Sequence, residues 1–270
     1  MSMPQIICNG SIGLGMEQNW ESYKKWIAEA TRNNRRNYYR GQSDSKWNLK
    51  TTFHRNAEFK GISLAHYFGT IMNDVNYQVA AFEAPINFQN NAEYSTFLGK
   101  LQHHGFPTPL LDWTLSGYVA AYFAFKSAPI QPKSTDKVSV FIFDIEGWSQ
   151  VFGSTTNFLG ADQFVSDFVP YATGNQRMIR QMGVTTSTNV SDIESFILQK
   201  GRDVGRDFLW RYDMPASERT VVMRELNSMG INDMTLFPDF DGLCQHLKER
   251  HFTSQQHIMP PPPPPVVPKA

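Results

Sequence analysis

Cysteine is nearly absent from this chain: Cys8 and Cys244 are the only two, at opposite ends of 270 residues. They have neither the paired spacing of a zinc site nor the density of a disulfide framework, so a cross-linked secreted scaffold is excluded and a reducing compartment is expected. Net charge is missing as well. Lys and Arg number 25, and so do Asp and Glu, so only local patches can argue for a polyanionic partner. No apolar run approaches the roughly 20 residues needed to cross a bilayer. The first residues also lack the basic, apolar, small-residue order of a signal peptide. The expectation is a cytoplasmic protein with no membrane association.

What is present is a globular composition. With 41% hydrophobic and 19% charged residues, the chain is neither disordered nor membrane-spanning, and its length suits one core near the upper limit for a single domain. Residues 1–16 read as a lead and 17–252 as the domain. Residues 253–270 read as a tail in which the run Pro260 to Pro265 favours extended polyproline II. Such a tail is either solvated or docks a partner.

Trp20, Tyr23, Trp26, Ile27 and Ala30 recur at helical spacing, which predicts a helix over 18–33. Asn37-Tyr38-Tyr39-Arg40 follows as a short aromatic strand that Gly41 ends. Leu64, Phe68, Ile71, Val75, Val79 and Phe82 predict a long helix stopping before Pro85. A further helix carries Tyr94, Phe97, Leu98 and Leu101, with Gly105 as its left-handed stop. Ser116 is the expected N-cap of a helix to Lys126. Val138 to Phe143 is the clearest strand, being β-branched and aromatic. No element is assigned from there to Val184. A helix near 192–200, a strand at 207–211, a helix opened by Pro215 and a short helix to about Arg250 complete an α+β order.

Three polar stretches stand out. Tyr39-Arg40-Gly41-Gln42 puts a fork of donors at a strand end, suited to phosphate or carboxylate, beside a glycine that lets a ligand approach the backbone. Taken alone, an ion-paired arginine next to a turn glycine is the commoner arrangement. His103-His104-Gly105-Phe106-Pro107-Thr108-Pro109-Leu110-Leu111-Asp112-Trp113-Thr114 reads as a pocket wall. In it, Asp112 equally suits a helix cap and Trp113 a core plug. His103 and His104 fall in the last helical turn, where the dipole favours a protonated imidazole. Adjacent histidines point about 100 degrees apart on a helix, so no metal site is expected. Arg177, Arg180 and Gln181 lead into Gly183, or else form a solvated helix face. Arg32, Arg35 and Arg36 form a solvated helix end, or with Arg40 a basic patch for nucleic acid.

Together and in this order these stretches resemble the FRG domain, a bacterial and phage-associated family named for an aromatic-Arg-Gly motif. The matching residues are Tyr39-Arg40-Gly41, Trp47-Asn48-Leu49 and Phe53-His54-Arg55, then Leu101 to Thr108 with Leu110 to Thr114. Arg177, Gln181 and Gly183 follow, and Leu236 to Leu243 close the pattern, so the resemblance covers 20–248. Its layout is similar to the ADP-ribosyltransferase fold, which implies a mixed sheet core with surrounding helices and NAD as substrate. Arg40, Asp112 and Gln181 are then the expected catalytic set. Tyr39, Gly41, Gln42, His103, Trp113, Thr114, Tyr122 and Arg177 would bind NAD, with Trp113 or Tyr122 stacking on nicotinamide.

The sequence departs from that fold at its third element. The late-strand glutamate in a Gln-x-Glu or Glu-x-Glu pattern is missing, which leaves Gln181 or Glu194 in its place. The resemblance implies an ADP-ribosyltransferase or NAD-cleaving enzyme serving as a toxin or phage-defence effector. Its acceptor would be protein or nucleic acid, and an antitoxin or complex partner would accompany it. A non-catalytic nucleotide- or nucleic-acid-binding module, or a structural partner tethered by the tail, are the alternatives.

Overall fold

The computed structural model describes residues 18–32, 35–168 and 176–253. The lead and the proline tail lie outside the described residues. In chain order the elements begin with α1 (Trp20–Arg32), β1 (Asn37–Gln42) and α2 (Thr52–Lys60). One continuous helical run follows: α3 (Leu64–His66), a π-turn (Tyr67–Ile71) and α4 (Met72–Val79). Next come α5 (Asn91–His103), β2 (Leu110–Thr114), α6 (Gly117–Lys126), β3 (Lys137–Asp144) and α7 (Ile145–Phe152). The second half holds β4 (Val165–Phe168), α8 (Gln176–Arg180), β5 (Gly183–Thr188), α9 (Ile193–Asp203) and β6 (Leu209–Pro215). A 3-10 turn then leads into α10 (Arg219–Ser228), α11 (Asp233–Leu236) and α12 (Phe240–Lys248).

The six strands form one sheet in the order β4-β5-β2-β1-β3-β6. The α+β class holds, but every pairing is antiparallel where a mixed sheet was expected. Each strand is followed in the chain by helices or loops that return it beside its partner in the opposite sense. No helix among the described residues is long and apolar enough to cross a membrane.

β3 shows why the sheet is buried on both sides. Its alternate residues Val138, Val140 and Ile142 join a core with α1, α6 and α10, while Phe141 and Phe143 join a second core with α7 and α9. The α1 stripe read from the sequence is the buried one, and Trp26 stacks on Tyr212 of β6 at 5.0 Å between centroids. A third core, with Phe53, Tyr67, Phe97 and Leu110, knits α2 to α5 against β2. Ser116 caps α6 as expected, its Oγ accepting from the Val119 N–H at 3.3 Å. Gly105 follows α5 at φ +82°, the left-handed geometry its position implied. Pro215 opens the helical run as expected, as the N-cap of the 3-10 turn Ala216–Glu218 that leads into α10, and it is also the last residue of β6. β6 is an edge strand, where proline's missing N–H need cost no ladder bond.

His54 on α2 is 7% exposed, and its Nδ1 lies 2.7 Å from the Thr51 hydroxyl. That hydroxyl already accepts from the His54 N–H, so its own proton is available to a neutral imidazole. Burial, with help from Lys50, pulls the imidazole down from 6.5 to about 4. Below pH 6.5 the unfolded chain therefore binds a proton that the folded one refuses, and stability is lost as pH falls from 6.5 toward 4. Denaturant titrations should show His54 lowering stability by about 2 kcal/mol between pH 7 and pH 5. The measure is the wild-type change less that of His54→Gln. Identical pH profiles for the two proteins would refute a buried neutral imidazole.

Candidate active site

β1 and β2 meet at a single residue pair, Tyr39 opposite Thr114, although both strands continue past it. Beyond that joint the sheet is split, and the facing backbone edges cannot pair across the gap. Arg40 spans it. Its Nη1 donates to the Asp112 carbonyl at 2.6 Å, taking the place of a strand amide. Pleating sends Tyr39 and Gly41 toward α6 and turns Tyr38, Arg40 and Gln42 to the other face.

The split opens into a cleft of about 1380 Å³ bordered by β1, the 43–50 loop, α5, β2, α8 and the start of β5. Six cationic side chains, Arg40, Lys46, Lys50, Arg55, Lys100 and Arg177, face two carboxylates, Asp112 and Glu83. A chain with no net charge has thus gathered a net of four positive charges in one concavity, counting six cations less two acids.

Asp112 is held in place. Gln102 Nε2 donates to its Oδ1 at 2.7 Å, and the Thr108 hydroxyl in turn donates to Gln102 Oε1. Asp112 makes no ion pair among the described residues, whereas Glu83 is bound to Lys100. Arg40 is under-satisfied. Its Nε is buried without a partner, and burial lowers its pKa, an effect Arg55 adds to and Asp112 opposes. Gln42 is similar: its Nε2 reaches the Asn48 carbonyl at 3.4 Å while its buried Oε1 has no partner. An incompletely compensated guanidinium in a basic cleft gains most from a bound anion.

The far wall is the turn between α8 and β5. The Thr114 hydroxyl donates to the Gln181 carbonyl at 2.7 Å and the Leu115 N–H to the Met182 carbonyl at 2.9 Å. Met182 holds φ +49°, the one described non-glycine residue at positive φ. The Gln181 side chain donates to the Leu236 carbonyl at 3.2 Å, so its amide is engaged by the protein. Arg177 is likewise tied to Asp239, the residue that caps α12. His103 borders the cleft with its pKa lowered by burial, then by His104 and Arg177, opposite in direction to the shift that a helix end favours.

Several residues serve differently from the sequence expectation. Gly41 borders the cleft, and its missing Cβ makes room for a helix: a Cβ there would lie 1.9 Å from the Ala120 carbonyl oxygen of α6. Trp113 is 4% exposed, with its indole N–H bonded to the Thr186 hydroxyl at 2.9 Å. Tyr122 is fully buried and does not border the cleft. Tyr122 is therefore out of reach of a ligand in the cleft, while Trp113 borders it with little of its surface exposed. Tyr39 is also buried among α1 and α6 side chains.

Glu194 sits on α9 away from the cleft, where its carboxylate accepts from the Leu49 N–H at 2.8 Å and burial raises its pKa. Of the arginines expected to join Arg40 in a basic patch, Arg35 pairs with Asp144 and Arg36 with Asp167, and neither borders the cleft. Among the described residues, no three His, Cys, Asp or Glu side chains gather as a metal site.

Two contributors carried too weak a sequence signal to be singled out. Gln102 lay inside the quoted motif, but its bond to Asp112 joins a helix to a strand. Trp47 looked like an ordinary motif aromatic, and it is 55% exposed at the cleft.

Comparison with known proteins returns no matching curated protein and no matching solved structure. Residues 35–132, which carry β1, β2, the split between them and α6, match the model of the FRG domain family and support membership of that family over this stretch.

Proposed function

We propose that the cleft binds NAD and that the protein is an NAD-dependent ADP-ribosyltransferase, able to cleave NAD when no acceptor is present. The observation that carries this reading is the split itself. It sets an under-satisfied guanidinium, Arg40, beside an oriented carboxylate, Asp112, inside a basic cleft. A pyrophosphate is the natural counter-ion for the first and a ribosyl cation for the second.

Breaking the bond between ribose C1′ and the pyridinium nitrogen sends the bonding electrons to the ring and releases neutral nicotinamide. Positive charge then develops on the ribose. A fixed carboxylate stabilises it more in the transition state than in the ground state, which is the requirement for rate enhancement. The nucleophile of the acceptor, or water, attacks C1′ and gives up a proton. Gln102 and Thr108 hold Asp112 at one orientation, so little reorganisation accompanies the charge change.

The late-strand carboxylate common in transferases of the ADP-ribosyltransferase fold has no counterpart at the start of β5. Gln181-Met182-Gly183 stands there, and a Cβ on Gly183 would lie 3.2 Å from the Met178 carbonyl oxygen. Asp112 is the cleft's carboxylate without a cationic partner, so it takes that electrostatic role.

The test is nicotinamide release from NAD by purified protein, with calorimetric NAD binding alongside. Release that Arg40→Ala and Asp112→Ala each reduce supports the reading. No release together with no NAD binding at millimolar concentration would sink it.

A further inference from the structure

We infer that the acceptor for this cleft is a single-stranded nucleic acid, gripped by the wall running from Lys46 to Arg55. The inference rests on the NAD reading and adds the second substrate to it.

Charge is the first argument. A dinucleotide pyrophosphate brings two negative charges, while the cleft border carries four more cations than carboxylates, two of those cations being paired with Glu58 and Asp239 just outside it. The surplus is concentrated on one wall. Lys46 and Arg55 make no ion pair among the described residues, and Arg55 uses only one donor, Nη1, on the Lys50 carbonyl at 2.7 Å. Lys50 pairs with Glu58, an exposed carboxylate that does not border the cleft. A surface ion pair of this kind exchanges readily for a phosphate.

Trp47 is the second argument. A lone exposed apolar ring needs no explanation on a loose loop. This loop is pinned on both sides of the ring. The Ser45 N–H donates to the Lys137 carbonyl at 2.8 Å and the Ser45 carbonyl accepts from Arg211. Beyond the ring, the Leu49 N–H is held by Glu194 and the Leu49 side chain is fully buried. Fixed anchors thus hold an indole 55% exposed between Lys46 and Asn48, at the edge of the cleft. An aromatic face flanked by cations is the arrangement that stacks a base while neutralising its phosphates. An acidic peptide would use the same charges, but its acidic side chains offer the indole no aromatic face, whereas every nucleotide carries one beside its phosphate.

The experiment uses the full chain with fluorescent single-stranded DNA and RNA oligonucleotides, and reads anisotropy across a salt series. The same preparations are assayed for nicotinamide release and for transfer of labelled ADP-ribose to the oligonucleotide. Expected are salt-dependent binding, quenching of indole emission and label on the strand. Trp47→Ala should weaken binding about 5- to 100-fold with little change in melting temperature, since the residue is exposed and belongs to none of the three cores. The double variant Lys46→Ala, Arg55→Ala should lower the log–log salt slope by about 1.4.

Label on only one kind of strand supports the inference and fixes the sugar. Nicotinamide release with no oligonucleotide binding at 50 mM salt overturns the inference and leaves the NAD reading standing. So does binding indifferent to Trp47→Ala, or label appearing on protein alone. Oligonucleotide binding without any release or NAD binding overturns the NAD reading, and the acceptor assignment falls with it.

Discussion

Replacing Gly41 with alanine is expected to lower stability by about 3 kcal/mol or more, the cost of overpacking a closed site. For a chain of this size that corresponds to a fall of about 6 to 12 °C in Tm. The added Cβ would lie 1.9 Å from the Ala120 carbonyl oxygen and 2.6 Å from the Ala124 amide nitrogen. Those atoms belong to the backbone of α6, so no rotamer change relieves the overlap. Either α6 lifts from the sheet or β1 bends.

Lifting α6 would disturb the core it shares with α1 and β3 and would move Arg40, the residue before Gly41 on β1. Activity should therefore fall together with stability. Gly69→Ala is the control, because nothing lies within 4 Å of its Cβ and the position is helical and exposed. That variant should melt at or slightly above the wild-type temperature. A Gly41→Ala protein that melts like wild type would show that the helix does not need this approach.

Asp112→Asn is the second large effect, and a different one. Asparagine keeps the side-chain shape and can still accept from Gln102, so melting should be unchanged. What disappears is the negative charge beside the developing ribosyl cation. Nicotinamide release should fall about 100- to 1000-fold, the usual cost of removing one preorganised electrostatic contact. Because that contact matters mainly in the transition state, kcat and kcat/KM should drop together while NAD binding changes little. Arg40→Lys should behave otherwise. It keeps a charge but loses the fork, and the loss should appear first in NAD affinity. Full activity in Asp112→Asn would remove the carboxylate from the mechanism.

Much of this architecture was legible in local pattern. The α1 stripe, the Ser116 cap and the β3 run state their faces directly, because 3.6- and 2-residue periods show which side is apolar. Partnership between strands is not written locally. β4 is four residues long and α7 begins on the residue after β3, so neither stood out in the unassigned stretch. The antiparallel order depends on where each connection lands.

The site divides the same way. Arg40 and Asp112 share a motif pattern, and the structure brings them together. Trp113 and Tyr122 occupy motif positions too, yet an aromatic can face a ligand or the core with the same spacing. Here both are buried, and the exposed ring at the cleft is Trp47. Gly41 presents a related ambiguity, since the space left by a missing Cβ serves a ligand or a helix, and only packing tells which.

Where β1 and β2 part, the facing strand edges of β4-β5-β2 and β1-β3-β6 are joined through one backbone pair and one guanidinium, with the Tyr38 hydroxyl bonded to Asp167 and a shared core behind them. A sheet fastened so sparingly has a strut rather than a seam, and the strut is the group that would recognise the substrate's phosphates. Ligand affinity and the stiffness of the scaffold are therefore thermodynamically linked through Arg40. An anion that compensates its charge also braces the molecule, and any substitution there alters the span of the gap as well as its potential.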